Sequence, residues 1–425
     1  MADTASKHID MTTGSLWRNI PLFAFPVAAT SILEQLSNLI ATVIIGNFSG
    51  DQGTLAMAAV GSNVPLTSLM INLFIGLSLG SNVVIANAIG RNDQNMVKRA
   101  VHTSILMALV GFVVIALGEI FAEPMLAALN VPAETMPLAS LYLRVFLLSM
   151  PSILLYNFEA AIFRSVGITR MPLQALAVST VLNIGLDLWF VLGLGWGVAG
   201  AAGATVLAQG CSALWVLKFL TGRRALLRLR WNTLRLQAAR VRRILALGTS
   251  GFVMSMTNSL VQVLCNASLQ HYGGDLYVGV MTVINSIREV VSMPVQGITN
   301  GCQPVLGYNY GAGEYERVRR GIRFTTVLTV GYSVAAWALV MAVPELLIRI
   351  FNDEPELIAA GIPAFRLYFA AFFCMSFQFI GQSVFVGLGR SRSAVFFSLL
   401  RKAFIVAPLT LLLPGLGMGV DGVFA

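Results

Sequence analysis

Long apolar runs alternate with short polar loops along almost the whole chain. Eleven of these runs are long enough to cross a bilayer, whose hydrocarbon core takes about 20 residues of α-helix. They cover 20–47, 55–88, 101–122, 138–160, 171–192, 198–220, 246–270, 277–306, 324–348, 361–387 and 394–413. The runs are continuous, without the every-other-residue alternation of a membrane barrel, so the pattern predicts helices. Composition points the same way: 56% of the 425 residues are hydrophobic and 11% are charged, against about 25% charged in soluble domains. The expected class is an all-α polytopic membrane protein. The N-terminal sequence is polar with no cleavable signal pattern, so the first helix is expected to stay in the mature chain.

The loops sort by charge. One set carries Lys7, Arg18, Arg91, Lys98, Arg99, Arg164, Arg170, the stretch from Lys218 to Arg243, Arg317, Arg319, Arg320, Arg323, Arg390 and Arg392, which is 22 of the 28 basic residues. The other set holds Asp51, Glu119, Glu123, Glu134, Asp275, Glu345, Asp353, Glu354, Glu356 and Asp421, with Arg349 the lone base. The positive-inside rule places the basic set and the N-terminus in the cytoplasm; the expected location is a bacterial plasma (inner) membrane. The same sorting accounts for the net charge of +9 without a nucleic-acid partner. Bilayer and small-molecule substrate are the expected partners, and a monomer is the expected state.

The chain is a tandem repeat. Residues 76–101 match 297–322 at an offset of 221, and 163–170 match 385–392 at 222. The glycine-rich stretch after Asp187, GLGWGVAG, returns as GLGMGVDG at 415–422. Six helices per copy is an even number. Two pseudo-symmetric six-helix lobes with the same orientation are therefore expected around a central cleft. This divides the chain into an N-terminal segment 1–19, a first lobe 20–221, a basic linker 222–243 and a second lobe 244–425 with five helices. A twelfth helix is expected beyond Ala425. The linker's Leu/Arg alternation around Trp231 suits a segment lying on the membrane surface, whether as plain anchor or as a regulatory element.

Cys211, Cys265, Cys302 and Cys374 lie scattered in apolar segments, and the three histidines have no ligand spacing. The pattern therefore predicts no disulfide framework, metal centre or cofactor. No catalytic triad or nucleotide loop is present, so an enzyme is not expected.

The charged residues inside the runs are the candidate sites, because intramembrane charge is costly and tends to be functional. Asp187 and Asn183 are four apart and share a helix face. A carboxylate beside an amide can hold a proton or help ligate sodium; the alternative is a structural aspartate satisfied by its neighbours. Glu34 in the first helix is a displaced relay, a counter-charge for substrate, or one half of an ion pair. In the second copy Arg401 and Lys402 sit mid-helix, and Leu409 stands where Asp187 would repeat. Arg288 and Glu289 are adjacent and so are expected to face apart, each with its own partner. For Glu289 that is either Lys402 or a cationic substrate or second ion. Met254, Met256, Met281, Met293 and Met375 cluster in this half, as lining for a promiscuous cavity or as ordinary filler. Arg144 and Arg366, repeat counterparts in the outer third of their helices, are expected to snorkel to the interface.

Asn183-x-x-x-Asp187 followed by GVAGAA at 197–202, the Pro26 helix leading to Gly46, and QPVLGYNYGAG at 303–313 together resemble the MATE family of multidrug and toxic compound extrusion transporters, over nearly the whole chain. The resemblance implies a twelve-helix, two-lobed antiporter that exports amphipathic, often cationic, compounds in exchange for protons or sodium. It implies a coupling site at Asn183 and Asp187 with Thr205 as hydroxyl partner, and a first helix that bends at Pro26. Ala41 departs from the pattern, since many members carry an acid five positions before the glycine that is Gly46 here. A lipid-linked oligosaccharide flippase of the same plan is the alternative, toward which Arg288, Arg401 and Lys402 lean. A channel or membrane receptor is the reading of another class, disfavoured by the repeat and the buried carboxylate.

Overall fold

The computed structural model of the chain describes residues 15–48, 53–128, 134–221, 238–350 and 355–424. The N-terminal residues 1–14 and most of the basic linker, 222–237, lie outside them. Among the described residues the chain is helical throughout. The helices are α1 (Leu16–Phe48), α2 (Gly53–Gly90), α3 (Gln94–Ile120), α4 (Ala122–Ala128), α5 (Met136–Leu147), α6 (Met150–Ser165), α7 (Arg170–Asp187) and α8 (Gly197–Thr221). The second half holds α9 (Ala238–Gly311), α10 (Tyr315–Ala342), α11 (Pro344–Arg349), α12 (Pro355–Phe369), α13 (Met375–Gly387), α14 (Ser391–Leu399), α15 (Ala407–Leu413) and α16 (Asp421–Phe424).

Eight of these helical stretches are long and apolar enough to cross a membrane, or ten if each of two bent pairs is one span. α1 adds a continuous helix of 33 residues. The fourth expected span is α5 plus α6, bent by 40°, and the tenth is α12 plus α13, bent by 41°. In the first pair Pro151 stands in the opening turn of α6. Its ring nitrogen cannot donate, which frees the carbonyl of the turn before it and permits the bend. α9 breaks at Gly274, where φ is 69°, a left-handed conformation that glycine adopts at little cost.

Two compact units emerge, and they do not follow chain order. The first contains Ala29–Gly251 and Gly307–Glu314; the second contains Ser15–Ala28, Phe252–Leu306 and Tyr315–Ala425. In the first, Phe74, Leu126, Leu143, Met150 and Phe158 form part of a buried core contributed by α2 to α6. In the second, Ile284, Phe365, Phe369 and Phe372 are central. Lipid tails are as apolar as leucine, so close packing rather than exclusion of water must hold such helices together.

Small residues show where that packing is tightest. In the second unit Gly297 and Gly301, one turn apart on α9, lie against Ala28 and Ala24 of α1, and a Cβ added at Gly301 would stand 2.5 Å from the Ala24 Cα. This small-xxx-small pairing binds the start of α1 to that unit. The repeat counterpart occurs in the first unit. There Gly80 of α2 lies on the Ile244 carbonyl, and a Cβ at Gly248 would stand 2.6 Å from the Leu77 Cα. Gly90 and Gly311, also repeat counterparts, are reciprocal: Gly90 lies on the Tyr308 carbonyl and Gly311 on the Asn87 carbonyl. The internal repeat is thus visible as two copies of one backbone contact.

Candidate functional site

α7 carries a buried polar stripe of Ser179, Asn183 and Asp187, spaced by one turn. Ser179 Oγ donates to the Ala208 carbonyl at 2.7 Å, which ties α7 to α8. Tyr156 of α6 donates to the Pro172 carbonyl at 2.9 Å, which fixes the other end of α7. Between these ties Asn183 Oδ1 accepts a hydrogen bond from Ser37 Oγ of α1 at 3.1 Å. Asp187 is 0% exposed. Neither of its oxygens has a hydrogen-bond partner among the described residues, and neither does Asn183 Nδ2. The spacing therefore put the two side chains on one face as expected, but they do not bond to each other. Directly after Asp187 the helix widens into a π-helical segment, Leu188–Gly193, a distortion that recurs at functional sites. Val191, one turn beyond the carboxylate, joins Ile44, Val60, Val198 and Ala201 in an apolar cluster, with Ile40 and Tyr142 packed against it.

Thr205 stands on α8, the helix packed beside α7. Its hydroxyl donates to the Ala201 carbonyl of its own helix at 3.1 Å. It makes no hydrogen bond to Asp187, and its lone pairs remain available as acceptors. Glu34 is half-buried on α1, one turn before Ser37. It lies within electrostatic reach of Arg164, and Tyr156 neighbours both. No hydrogen bond joins Glu34 to Asp187. Pro26 is buried inside α1, two residues before the point where that helix passes from one unit to the other.

Two residues near this region escaped the sequence reading. Ser37 is an ordinary serine until its partner is seen. Glu159 on α6 is 0% exposed, and neither carboxylate oxygen has a partner among the described residues. A fourth span ending at 160 leaves Glu159 at its rim. α6 instead runs to Ser165, which sets Glu159 about 9 Å inside the helix end at 1.5 Å per residue. An intramembrane acid was the signal, and the boundary hid it.

In the second unit several expectations need correction. Glu289 pairs with its neighbour Arg288 at 2.8 Å, not with Lys402. Adjacent Cβ atoms diverge, but two long side chains can fold back to meet. One oxygen of Glu289 is thus already engaged by an arginine. Lys402 is 4% exposed and donates to the Met254 carbonyl at 3.2 Å. Of the methionines, Met254 and Met281 are buried, Met281 in the unit's core, while Met256 is 57% exposed. Met293 and Met375 are half-buried. Arg144 pairs with Glu123 at 2.8 Å, both about half exposed, so its head is held by a partner. Arg366 is exposed. Among the described residues no group of three or more His, Cys, Asp or Glu side chains is placed to hold a metal.

Helical spans long and apolar enough to cross a bilayer, two of them bent, with a buried carboxylate on a distorted helix, mark a multi-pass membrane protein. The MatE family profile matches residues 26–189 and 251–412, and the chain belongs to that family. It is 26% identical over 350 residues to the probable multidrug resistance protein YoeA of Bacillus subtilis, covering 80% of this chain and 75% of that protein. It is 22% identical over 410 residues to the multidrug export protein MepA of Staphylococcus saprophyticus, covering 96% and 89%. The fold is shared with a multidrug resistance MATE family transporter of the MOP superfamily, solved in its outward-facing conformation, at a TM-score of 0.90 and 21% identity, with 99% of this chain and 94% of that one covered.

Proposed function

We propose that the protein is a secondary antiporter of the bacterial plasma membrane, with its N-terminus in the cytoplasm, that exports amphipathic small molecules in exchange for protons or sodium. The observation that carries this is Asp187: fully buried, with neither oxygen hydrogen-bonded among the described residues. An unpaired buried carboxylate is disfavoured by several kcal/mol, so a proton or a sodium ion is the natural companion. The names of YoeA and MepA as multidrug resistance and export proteins support the substrate class.

In this reading a cation from outside neutralises Asp187, with Asn183, Ser37 and the Thr205 hydroxyl as the polar groups around it. α1 responds because Ser37 ties it to Asn183 while its first part belongs to the other unit. Pro26, lacking one backbone hydrogen bond, is where the helix bends. Cation and substrate favour different states, and each shifts the equilibrium only by its differential affinity. No chemical step is required of the protein, and no cofactor.

The test is efflux of cationic, neutral and anionic amphipathic dyes from cells expressing the protein or Asp187→Asn, with sodium and pH gradients imposed separately. Gradient-driven export of at least one dye class, lost in the variant, is expected. A variant that exports as well as the parent refutes Asp187 as the coupling group.

A further inference from the structure

The second unit holds more buried positive charge than its acids balance. Arg288 comes from the second span of α9, and Arg401 and Lys402 from the π-helical segment Leu400–Val406. The three are close enough to repel one another. Glu289 is bonded to Arg288, and no carboxylate among the described residues is bonded to Arg401 or Lys402. Among the described residues Lys402 has one bond, to the Met254 carbonyl, although an ammonium carries three donors. The Nε–H groups of Arg288 and Arg401 are both buried without a partner among the described residues. Tyr368 lies within electrostatic reach of Arg288, Glu289 and Arg401.

Snorkelling does not account for this group. A snorkelling lysine carries its head out to the interface, whereas Lys402 is 4% exposed. Uncompensated buried charge is strongly unfavourable. The π-helical turn that carries two of the cations is the kind of distortion found at functional sites. An arginine Nε–H acts with a terminal N–H as a fork that matches the two oxygens of a carboxylate or phosphate.

We propose that Arg288, Arg401 and Lys402 form a binding site, within the second unit, for the carboxylate or phosphate group of an amphipathic anion. This rests on the export reading above and names its substrate class: a molecule with an apolar body and one anionic oxygen group. The same chemistry is offered by a free organic anion and by an anionic lipid headgroup.

The probe is dansyl-undecanoic acid, compared with its uncharged amide, binding to the purified full-length protein by energy transfer from tryptophan. Hydrogen bonds to charged groups correspond to about tenfold or more in affinity. The acid is therefore expected to bind at least about tenfold tighter than the amide. In Arg288→Gln/Arg401→Gln that preference is expected to fall to within about twofold, with amide binding unchanged. Equal binding of acid and amide to the unmodified protein overturns the proposal whether or not the variant folds, and so does a preference that survives in a folded variant. Competition by inorganic phosphate and by lysophosphatidylglycerol then identifies the source: displacement by both supports a free-anion site, and displacement by the lysolipid alone supports a lipid headgroup. Dye export without preference for anions, together with equal probe binding, sinks this inference and leaves the export reading standing. Acid-selective binding without any export does the reverse.

Discussion

Gly301 is where the packing can be tested most sharply. In Gly301→Ala the new Cβ stands 2.5 Å from the Ala24 Cα and 2.8 Å from its Cβ. Carbon atoms normally approach to about 3.5–4.0 Å, so α1 and α9 must part by about 1 Å or distort. Overpacking of this kind costs about 1–3 kcal/mol. For a domain of roughly 150–250 residues each kcal/mol lowers the midpoint by about 2–4 °C, so a fall of roughly 2–12 °C is expected. The assay is thermal unfolding of the purified protein in detergent, with Gly331→Ala in the same unit as the control. Nothing lies within 4 Å of a Cβ added at Gly331, and alanine is the better helix former by about 1 kcal/mol, so the control should be neutral or stabilised. If Gly301→Ala is as stable as Gly331→Ala, the close approach of α1 to α9 is not what binds the first part of α1 to that unit.

Gly90→Ala and Gly311→Ala should behave alike, because each forces a Cβ onto the backbone carbonyl of the other's helix; a loss of about 1–3 kcal/mol in both, read from thermal midpoints, checks the reciprocal contact. Ser37→Ala removes the hydrogen bond to Asn183, and should weaken coupling-ion affinity by about fivefold, the equivalent of about 1 kcal/mol, in ion-titrated transport. Arg144→Gln breaks only a half-exposed ion pair, and should shift stability by no more than about 1 kcal/mol.

Run length was enough to read the helices, because a membrane enforces long apolar segments and leaves few other solutions. The bends at Pro151 and near Ala370 were not readable, since a proline permits a bend whose angle is decided by packing. The repeat was legible because glycines recur at a constant offset wherever backbones must touch, as at Gly90 and Gly311. The exchange of the first part of α1 into the second unit was hidden, since Ala24 and Ala28 look like any helix-forming alanines until Gly297 and Gly301 are seen against them. Asp187 announced itself as an acid deep in an apolar run. Glu159 did not, because a boundary misplaced by five residues moved it to the rim. Arg288 and Glu289 were misjudged by treating Cβ directions as if they fixed the ends of long side chains.

The central claim is that Asp187 links a cation to substrate. Coupling between two ligands is reciprocal, so a cation that weakens substrate binding must be weakened by substrate to the same degree. Substrate affinity of the purified full-length protein, measured by calorimetry across a series of pH values and sodium concentrations, tests this directly. The account predicts that affinity falls as the coupling cation rises, and that this dependence disappears in Asp187→Asn. The same cation dependence in both proteins would contradict it.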